Sequence, residues 1–372
     1  MEPIHVEVNL AAIRRNCQTV AGLLAPGTEI MAVVKANAYG HGAVPVAKEL
    51  LRSGAGRLAV ARVVEGVELR EADIGAPILI LGLIEPDQAQ VALGADLTVA
   101  VASCPLARAL SEEAVRQGKT CAVHVKVDTG MGRIGIRPSQ APAFIKWLQE
   151  LPGIKVEGVF SHFATADEPD KTQAQAQLAQ FKSLRDELLA AGFEIPVFHL
   201  ANSAGIINFP EAQFSLVRPG IVLYGLCPSP DRTSDLKFEP AMSWKSQLNF
   251  IKELPAGCGI SYGHTFHTER PSVVGTVCVG YADGYNRLLS NRGQMLVAGR
   301  RAPIVGRICM DQTMLDLTDI VAAGCKPQVG DEVVLLGRQG EEEITADELA
   351  AKLHTINYEI VCAIGRRVPR YY

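Results

Sequence analysis

The sequence predicts an α/β chain of two domains: a (β/α)8 barrel of the TIM type over residues 1–235, then a mainly β domain over 236–372. Three observations predict it. From residue 30 to about 224, eight short apolar runs alternate with amphipathic stretches, the pattern of parallel strands joined by crossover helices. The residue types best suited to chemistry fall at or just past the ends of those runs, where a barrel carries its functional loops. Beyond about residue 240 the period changes to alternating or β-branched segments with Gly and Asn between them.

In chain order, residues 5–9 form a candidate strand that precedes the barrel and is able to pair with the second domain. The eight barrel runs are 30–34, 58–61, 78–81, 97–100, 122–127, 154–161, 197–199 and 216–218. Helical candidates between them are 44–51, 89–93, 105–116, 141–149, 172–191 and 203–208. A doubly wound open sheet fits the same periodicity, although no glycine-rich dinucleotide fingerprint follows the first run. Residues 228–240 turn polar and proline-rich and read as a linker. After it, strands are expected at 242–254, 272–280, 294–297, 312–317 and 332–336. The one helix expected there is 346–353, because Thr345 followed by Glu348 makes a capping-box pattern.

A chain of 372 residues with 48% hydrophobic and 20% charged content has ample material for two cores and is not disordered. Its net charge of −4 gives no electrostatic footprint for nucleic acid or an anionic membrane surface. The first residues, MEPIHVEVNL, lack a basic region followed by an apolar stretch, which reads as a cytoplasmic protein. Nine scattered cysteines without a Cys-x-x-Cys pair argue against a disulfide framework and against a zinc site.

Residues 32–42 read AVVKANAYGHG and set Lys35 at the end of a buried run, before a glycine-punctuated turn. Burial disfavours the ammonium form, so a lysine held there is a candidate Schiff-base former with a carbonyl cofactor. Taken alone, the commoner arrangement is a lysine whose stem follows the apolar strand and whose charge stays in solvent. The whole segment closely resembles the pyridoxal-phosphate lysine motif of alanine racemases, and matching signatures recur in order along essentially the whole chain.

That resemblance implies pyridoxal 5′-phosphate as cofactor, alanine as substrate, and reversible interconversion of its enantiomers by two opposed bases, supplying D-alanine for peptidoglycan. Lys35 becomes the cofactor's covalent anchor and one base. Tyr39 becomes a phosphate ligand, joined by Ser203 in HLANSAG and by backbone amides of Gly220 and Ile221 in VRPGIVLYG. Arg218, in the same segment, stands where most pyridoxal enzymes place a carboxylate against the ring nitrogen; an arginine can only donate, which leaves the nitrogen unprotonated and the electron sink weaker. Tyr262 in GISYGHTF is the implied second base, contributed by the other subunit of a head-to-tail homodimer with shared sites. His162 in FSHFATAD resembles the residue that supports this tyrosine.

In KVDTGMGRIG, Arg133 has the planar fork that suits a substrate carboxylate, and Lys126 resembles a lysine that is carbamylated in many relatives. Met310 and Asp311 in RICMDQT resemble a segment lining the substrate pocket, and Tyr358 in INYEI a tyrosine near the phosphate. Asp167, Arg307 and Ile356 fit a polar channel leading inward, and each fits surface or core equally well. Two other classes share parts of this layout. A pyridoxal-dependent decarboxylase has a barrel and a β domain but calls for an acidic partner where Arg218 stands. A non-catalytic pyridoxal-phosphate carrier needs only a lone barrel, without the second domain that holds Tyr262.

Overall fold

The computed structural model describes residues 2–229 and 236–372. The chain divides into two units, Leu10–Pro240 and Met1–Asn9 with Ala241–Tyr372. Strand β1 (His5–Val8) therefore belongs with the C-terminal residues.

The first unit is built on β2 (Glu29–Val33), β3 (Arg57–Val60), β4 (Ile78–Ile80), β5 (Thr98–Val101), β6 (Cys121–Lys126), β7 (Ile154–Phe160), β8 (Val197–His199) and β9 (Leu216–Val217). Every neighbouring pair is parallel, in the order β8-β7-β6-β5-β4-β3-β2-β9. Each expected run is thus a strand, with ends displaced by no more than two residues. Parallel strands covered by helices are buried on both faces, which is why they read as unbroken apolar runs. Short β8 and β9 meet through other bonds: Phe198 N donates to Ser215 Oγ at 2.8 Å, and Arg218 N donates to Ala201 O at 2.9 Å. The ring is a near-closed barrel.

Six helices lie where expected, among them Ala43–Arg52, Cys104–Gln117 and Thr172–Ala190. Leu10–Ala21 and Val63–Glu71 were not anticipated. Val63–Glu71 carries Gly66 at its middle, a poor helix former that obscures the signal. A β-carbon on Gly66 would lie 2.8 Å from Leu97 Cδ1, so the glycine lets this helix pack closely on the residue that leads into β5. Residues 230–235 of the expected linker lie outside the described residues. Its far end is held: Glu239 N donates to Asn16 Oδ1 and Asn16 Nδ2 donates to Glu239 O, both at 2.8 Å.

The second unit is mainly β. Its strands are β10 (Met242–Leu254), β11 (Gly259–Ile260), β12 (Phe266–His267), β13 (Ser272–Val277), β14 (Gln294–Val297), β15 (Arg300–Pro303), β16 (Thr313–Asp316), β17 (Glu332–Gln339), β18 (Glu342–Ile344) and β19 (Arg370–Tyr371). β10 is the hub, antiparallel to β1, β13 and β17, while β1 also takes β19 in parallel. β15 escapes periodicity because RRAP is charged and ends in proline, as edge strands do. Its hairpin with β14 turns through Ala298 (φ 52°) and Gly299 (φ 71°), a two-residue turn with positive φ at both positions. Thr345 Oγ accepts from Glu348 N at 3.0 Å and starts the helix Ala346–Leu353 as expected. The Glu348 carboxylate pairs with Arg301 at 2.8 Å. Two further short helices, Thr318–Ala322 and Asn357–Cys362, were not foreseen.

Candidate active site

Lys35 follows the end of β2, and the residues after it wind into a left-handed turn in place of the expected loop. Ala36, Asn37, Ala38 and Tyr39 have φ of 53°, 54°, 52° and 52°. This conformation costs L-residues roughly 1–2 kcal/mol each, so neighbours must hold it. Glu65, which no local pattern in the sequence marks, accepts Ala36 N at 2.6 Å through Oε1, while Oε2 accepts Ala61 N and Arg62 N at 2.7 and 3.0 Å. Asn37 Oδ1 accepts Ala43 N at 2.8 Å and ties the turn to the next helix. Glu65→Ala leaves three backbone N–H groups without this acceptor. Steady-state kinetics should show kcat falling by about tenfold, with the displaced lysine as the cause.

The turn delivers Tyr39 to the last strand. Val33 N donates to Pro219 O at 3.0 Å and sets the end of β2 beside the RPG segment. A β-carbon on Gly220 would lie 2.6 Å from Tyr39 Oη, so only glycine leaves room there. Gly220 N donates to Ser203 Oγ at 2.9 Å, and Asn202 caps the helix Ser203–Asn208 by accepting Gly205 N at 2.9 Å. Ile221 is buried and opens the turn Ile221–Tyr224. Tyr39, Ser203 and Gly220 thus converge on one place: a hydroxyl-rich cradle floored by a residue with no side chain.

Beside it stands a group of cations. Arg218 is 2% exposed. Its Nη2 donates to the carbonyls of Ser161 and Leu200 at 2.8 and 3.0 Å and lies 3.2 Å from His162 Nδ1. Burial and the charge of Arg133 push its pKa down to about 9, which still leaves it charged at neutral pH. Burial, then Arg218, Arg133, Lys126 and Lys35, hold His162 well below the usual imidazole value, so it is neutral. An arginine only donates; His162 Nδ1 therefore accepts and its proton sits on Nε2. Lys126 is buried, donates to Val127 O at 2.7 Å and lies 5.6 Å from the centre of the Phe160 ring. Burial and the charge of Arg218 bring its pKa down to about 8. Arg133 is exposed on the loop after β6, whose turn is shaped by Asp128 accepting the amides of Gly130, Met131 and Gly132. Gln177, also unanticipated, accepts Ala164 N at 2.8 Å and donates to His162 O at 2.9 Å, pinning the loop that carries His162.

All but one of the remaining predicted residues belong to the second unit. Tyr262, Met310 and Asp311 line one open concavity there, with Ser261, Cys309 and Gln312. Tyr262 is 68% exposed and Met310 53% exposed. Ser261 Oγ donates to Arg307 O at 2.6 Å and fastens the Tyr262 loop, and Arg367 donates to Asp311 Oδ1 at 2.7 Å. A β-carbon on Gly280 would come within 2.2 Å of Met310 O, so that glycine lets the two segments stack. Tyr358 lies half-buried on the helix Asn357–Cys362, whereas Arg307 and Ile356 are exposed. In the barrel, Asp167 is half-buried.

Comparison with known proteins adds a family to this geometry. The family descriptions "Alanine racemase, N-terminal domain" and "Alanine racemase, C-terminal domain" match residues 8–228 and 241–372. An alanine racemase of Halothermothrix orenii is 48% identical over 370 residues, covering 100% of this chain and 97% of its own. One from Symbiobacterium thermophilum is 49% identical over 372 residues, with the same coverage of 100% and 97%. Among solved structures, the alanine racemase of Clostridium difficile 630 superposes with a TM-score of 0.95 at 42% identity, covering 100% of this chain and 95% of that one. The Bacillus anthracis alanine racemase, determined with bound L-Ala-P, gives 0.92 at 41% identity, with coverage of 100% and 95%.

Proposed function

The chain belongs to the alanine racemase family of isomerases, and from that premise we propose that its barrel holds pyridoxal 5′-phosphate at Lys35 and completes its site with Tyr262 of the partner subunit. The reaction is the reversible interconversion of L-alanine and D-alanine, whose D-form serves peptidoglycan. Among the described residues, no helix is long and apolar enough to cross a membrane.

The observation that carries the cofactor reading is the convergence of Tyr39, Ser203 and Gly220 beside the Lys35 turn. A phosphate needs several converging donors, and Gly220 lets the Tyr39 hydroxyl approach the backbone that also meets Ser203 Oγ, because a β-carbon there would lie 2.6 Å from Tyr39 Oη. Four cations, Lys35, Lys126, Arg133 and Arg218, supply positive potential for a phosphate and a substrate carboxylate together. When bound, pyridoxal phosphate acidifies the substrate's Cα–H by withdrawing electrons from Cα.

The residues divide the remaining work. Lys35 Nζ would anchor the cofactor, and its free amine would take or return a proton on one face of the substrate's Cα. Tyr262 of the partner subunit does the same on the other face. A tyrosine near its ordinary pKa of about 10 is a poor base at neutral pH. His162, neutral with its proton on Nε2, is suited to donate to the phenolate and stabilise it. Arg133 grips the substrate carboxylate. Arg218 would donate to the ring nitrogen and Ile221 would add an amide to the phosphate cradle, and the family resemblance assigns Tyr358 to phosphate binding and Met310 and Asp311 to substrate binding. The exposure of Tyr262 and Met310 supports a partner surface over that concavity.

Lys126 is the candidate for carbamylation. Its pKa, lowered to about 8, leaves a minor fraction of the amine neutral at neutral pH, the form that adds carbon dioxide and releases a proton to give a carbamate. That step turns one of four crowded cations into an anion beside Arg133. For the cofactor anchor, borohydride treatment of the loaded protein followed by peptide mass mapping should leave the cofactor's mass on the peptide that carries Lys35. Labelling of any other lysine removes the assignment.

A further inference from the structure

Among the described residues no carboxylate pairs with the buried Arg218. Its Nη1 donates instead to His199 Nδ1 at 2.8 Å. From there a single file of bonds continues: His199 Nε2 to His124 Nδ1 at 2.7 Å, His124 Nε2 to Glu157 Oε2 at 3.0 Å, Glu157 Oε1 to Arg57 Nη1 at 3.0 Å, and Arg57 Nε to Glu29 Oε2 at 2.9 Å. Arg218 and His199 stand at the carboxyl ends of their strands, whereas Arg57 and Glu29 begin theirs. The file crosses the barrel from the chemical end to the opposite mouth.

Its two ends dictate the protons between them. An arginine has no acceptor, so His199 Nδ1 is bare; a neutral His199 then carries its proton on Nε2 and gives it to His124 Nδ1. His124 is left with its proton on Nε2, facing a carboxylate. Burial lowers the pKa of both rings, which keeps them neutral. Glu157 is held down to about 2 by the His124 bond and then by Arg57, so it is an anion. From Arg218 to Glu157 every bond points the same way, from cation to anion, and Arg57 donates to Glu157 from the far side.

Local structure shows how the sequence places this anion. The β6–β7 register steps from Val123↔Val156 to His124↔Gly158, so Glu157 is the extra residue of a bulge, a feature that re-aims a side chain. Gly158 gives His124 its room, since a β-carbon there would lie 2.7 Å from Nδ1. Phe160 stacks on His199 with centroids 4.8 Å apart and lies under the Arg218 guanidinium at 5.5 Å.

We propose that Glu157 is the remote counter-charge of Arg218, and that His199 and His124, each locked with its proton on Nε2, are positioning residues that hold the guanidinium as a fixed donor. The proposal rests on the assignment of Arg218 to the cofactor ring. Chains of aligned hydrogen bonds polarise one another, so a charge two rings away still strengthens the last bond.

The deciding measurement is nitrogen-15 NMR of histidine-labelled, cofactor-loaded protein. His199 and His124 should both show a bare Nδ1 and a protonated Nε2; a protonated Nδ1 on either ring overturns the proposal, whatever the variants do. Glu157→Gln keeps an acceptor but removes the charge, and should lower kcat by about tenfold with little change in the KM for alanine. Glu157→Asp should recover most of that loss. Gly158→Ala leaves every ionisable group in place but displaces the His124 ring, and should reproduce the kcat loss together with a mixed His124 tautomer. A folded Glu157→Gln with parent kcat, beside an Arg218→Gln that is impaired, sinks the relay while leaving the role of Arg218 standing. If Arg218→Gln is silent as well, the ring-nitrogen assignment fails instead.

Discussion

Lys35→Ala should lower racemisation by about four orders of magnitude or more, because it removes the covalent anchor and one of two bases in a single change. The visible absorbance of the loaded protein should shift to that of unanchored cofactor. The phosphate cradle of Tyr39, Ser203 and Gly220 does not depend on the lysine amine, so the variant should still retain pyridoxal phosphate reversibly. Circular dichroism serves as the control for folding. A variant that kept both its absorbance and full turnover would refute the assignment.

Tyr262→Phe should reduce racemisation by about 10²–10⁴-fold, the range expected for loss of one proton-transfer group. Its signature is directional. With one base left, on one face, a single enantiomer of alanine should still exchange its Cα hydrogen in heavy water, with configuration retained. Equal exchange from both enantiomers would mean that Tyr262 is not the opposed base. The same variant tests sharing between subunits. When Tyr262→Phe and Lys35→Ala proteins exchange subunits at random, about half of the dimers are mixed, and each mixed dimer has one doubly damaged and one intact site, so about a quarter of parental activity should return. If each chain completed its own site, mixing two dead proteins would restore nothing.

These predictions lean on residues legible at different depths. Lys35, Arg133, His162, Ser203 and Arg218 stand at strand ends that periodicity located, and motif resemblance named their roles. Tyr262, Met310 and Asp311 came from resemblance alone, since a tyrosine in a β domain otherwise reads as packing. Glu65 and Gln177 gave no signal: a helix-borne glutamate and glutamine resemble any solvated face until their carboxylate or amide is seen on a loop's backbone. His199 was visible only as the end of a run. Its partner His124 sits inside an apolar strand, where a histidine is most simply read as core.

By itself the sequence determined the eight strand periods, the change of period near residue 240, the Thr345 cap and the position of Lys35 after a buried strand. Those features depend on near neighbours along the chain, through strand and helix periods and local capping. Only the tertiary structure decided the left-handed sense of the Lys35 turn, the contact of Tyr39 with Gly220, and the bulge that turns Glu157 toward His124. Each of these is a compromise between local preference and a partner distant in sequence: the turn costs energy that Glu65 helps offset, and Glu157 becomes half-buried where His124 and Arg57 satisfy its charge. Such pairings follow from barrel closure, which brings β2 beside β9 and β6 beside β7, and no local pattern encodes that proximity.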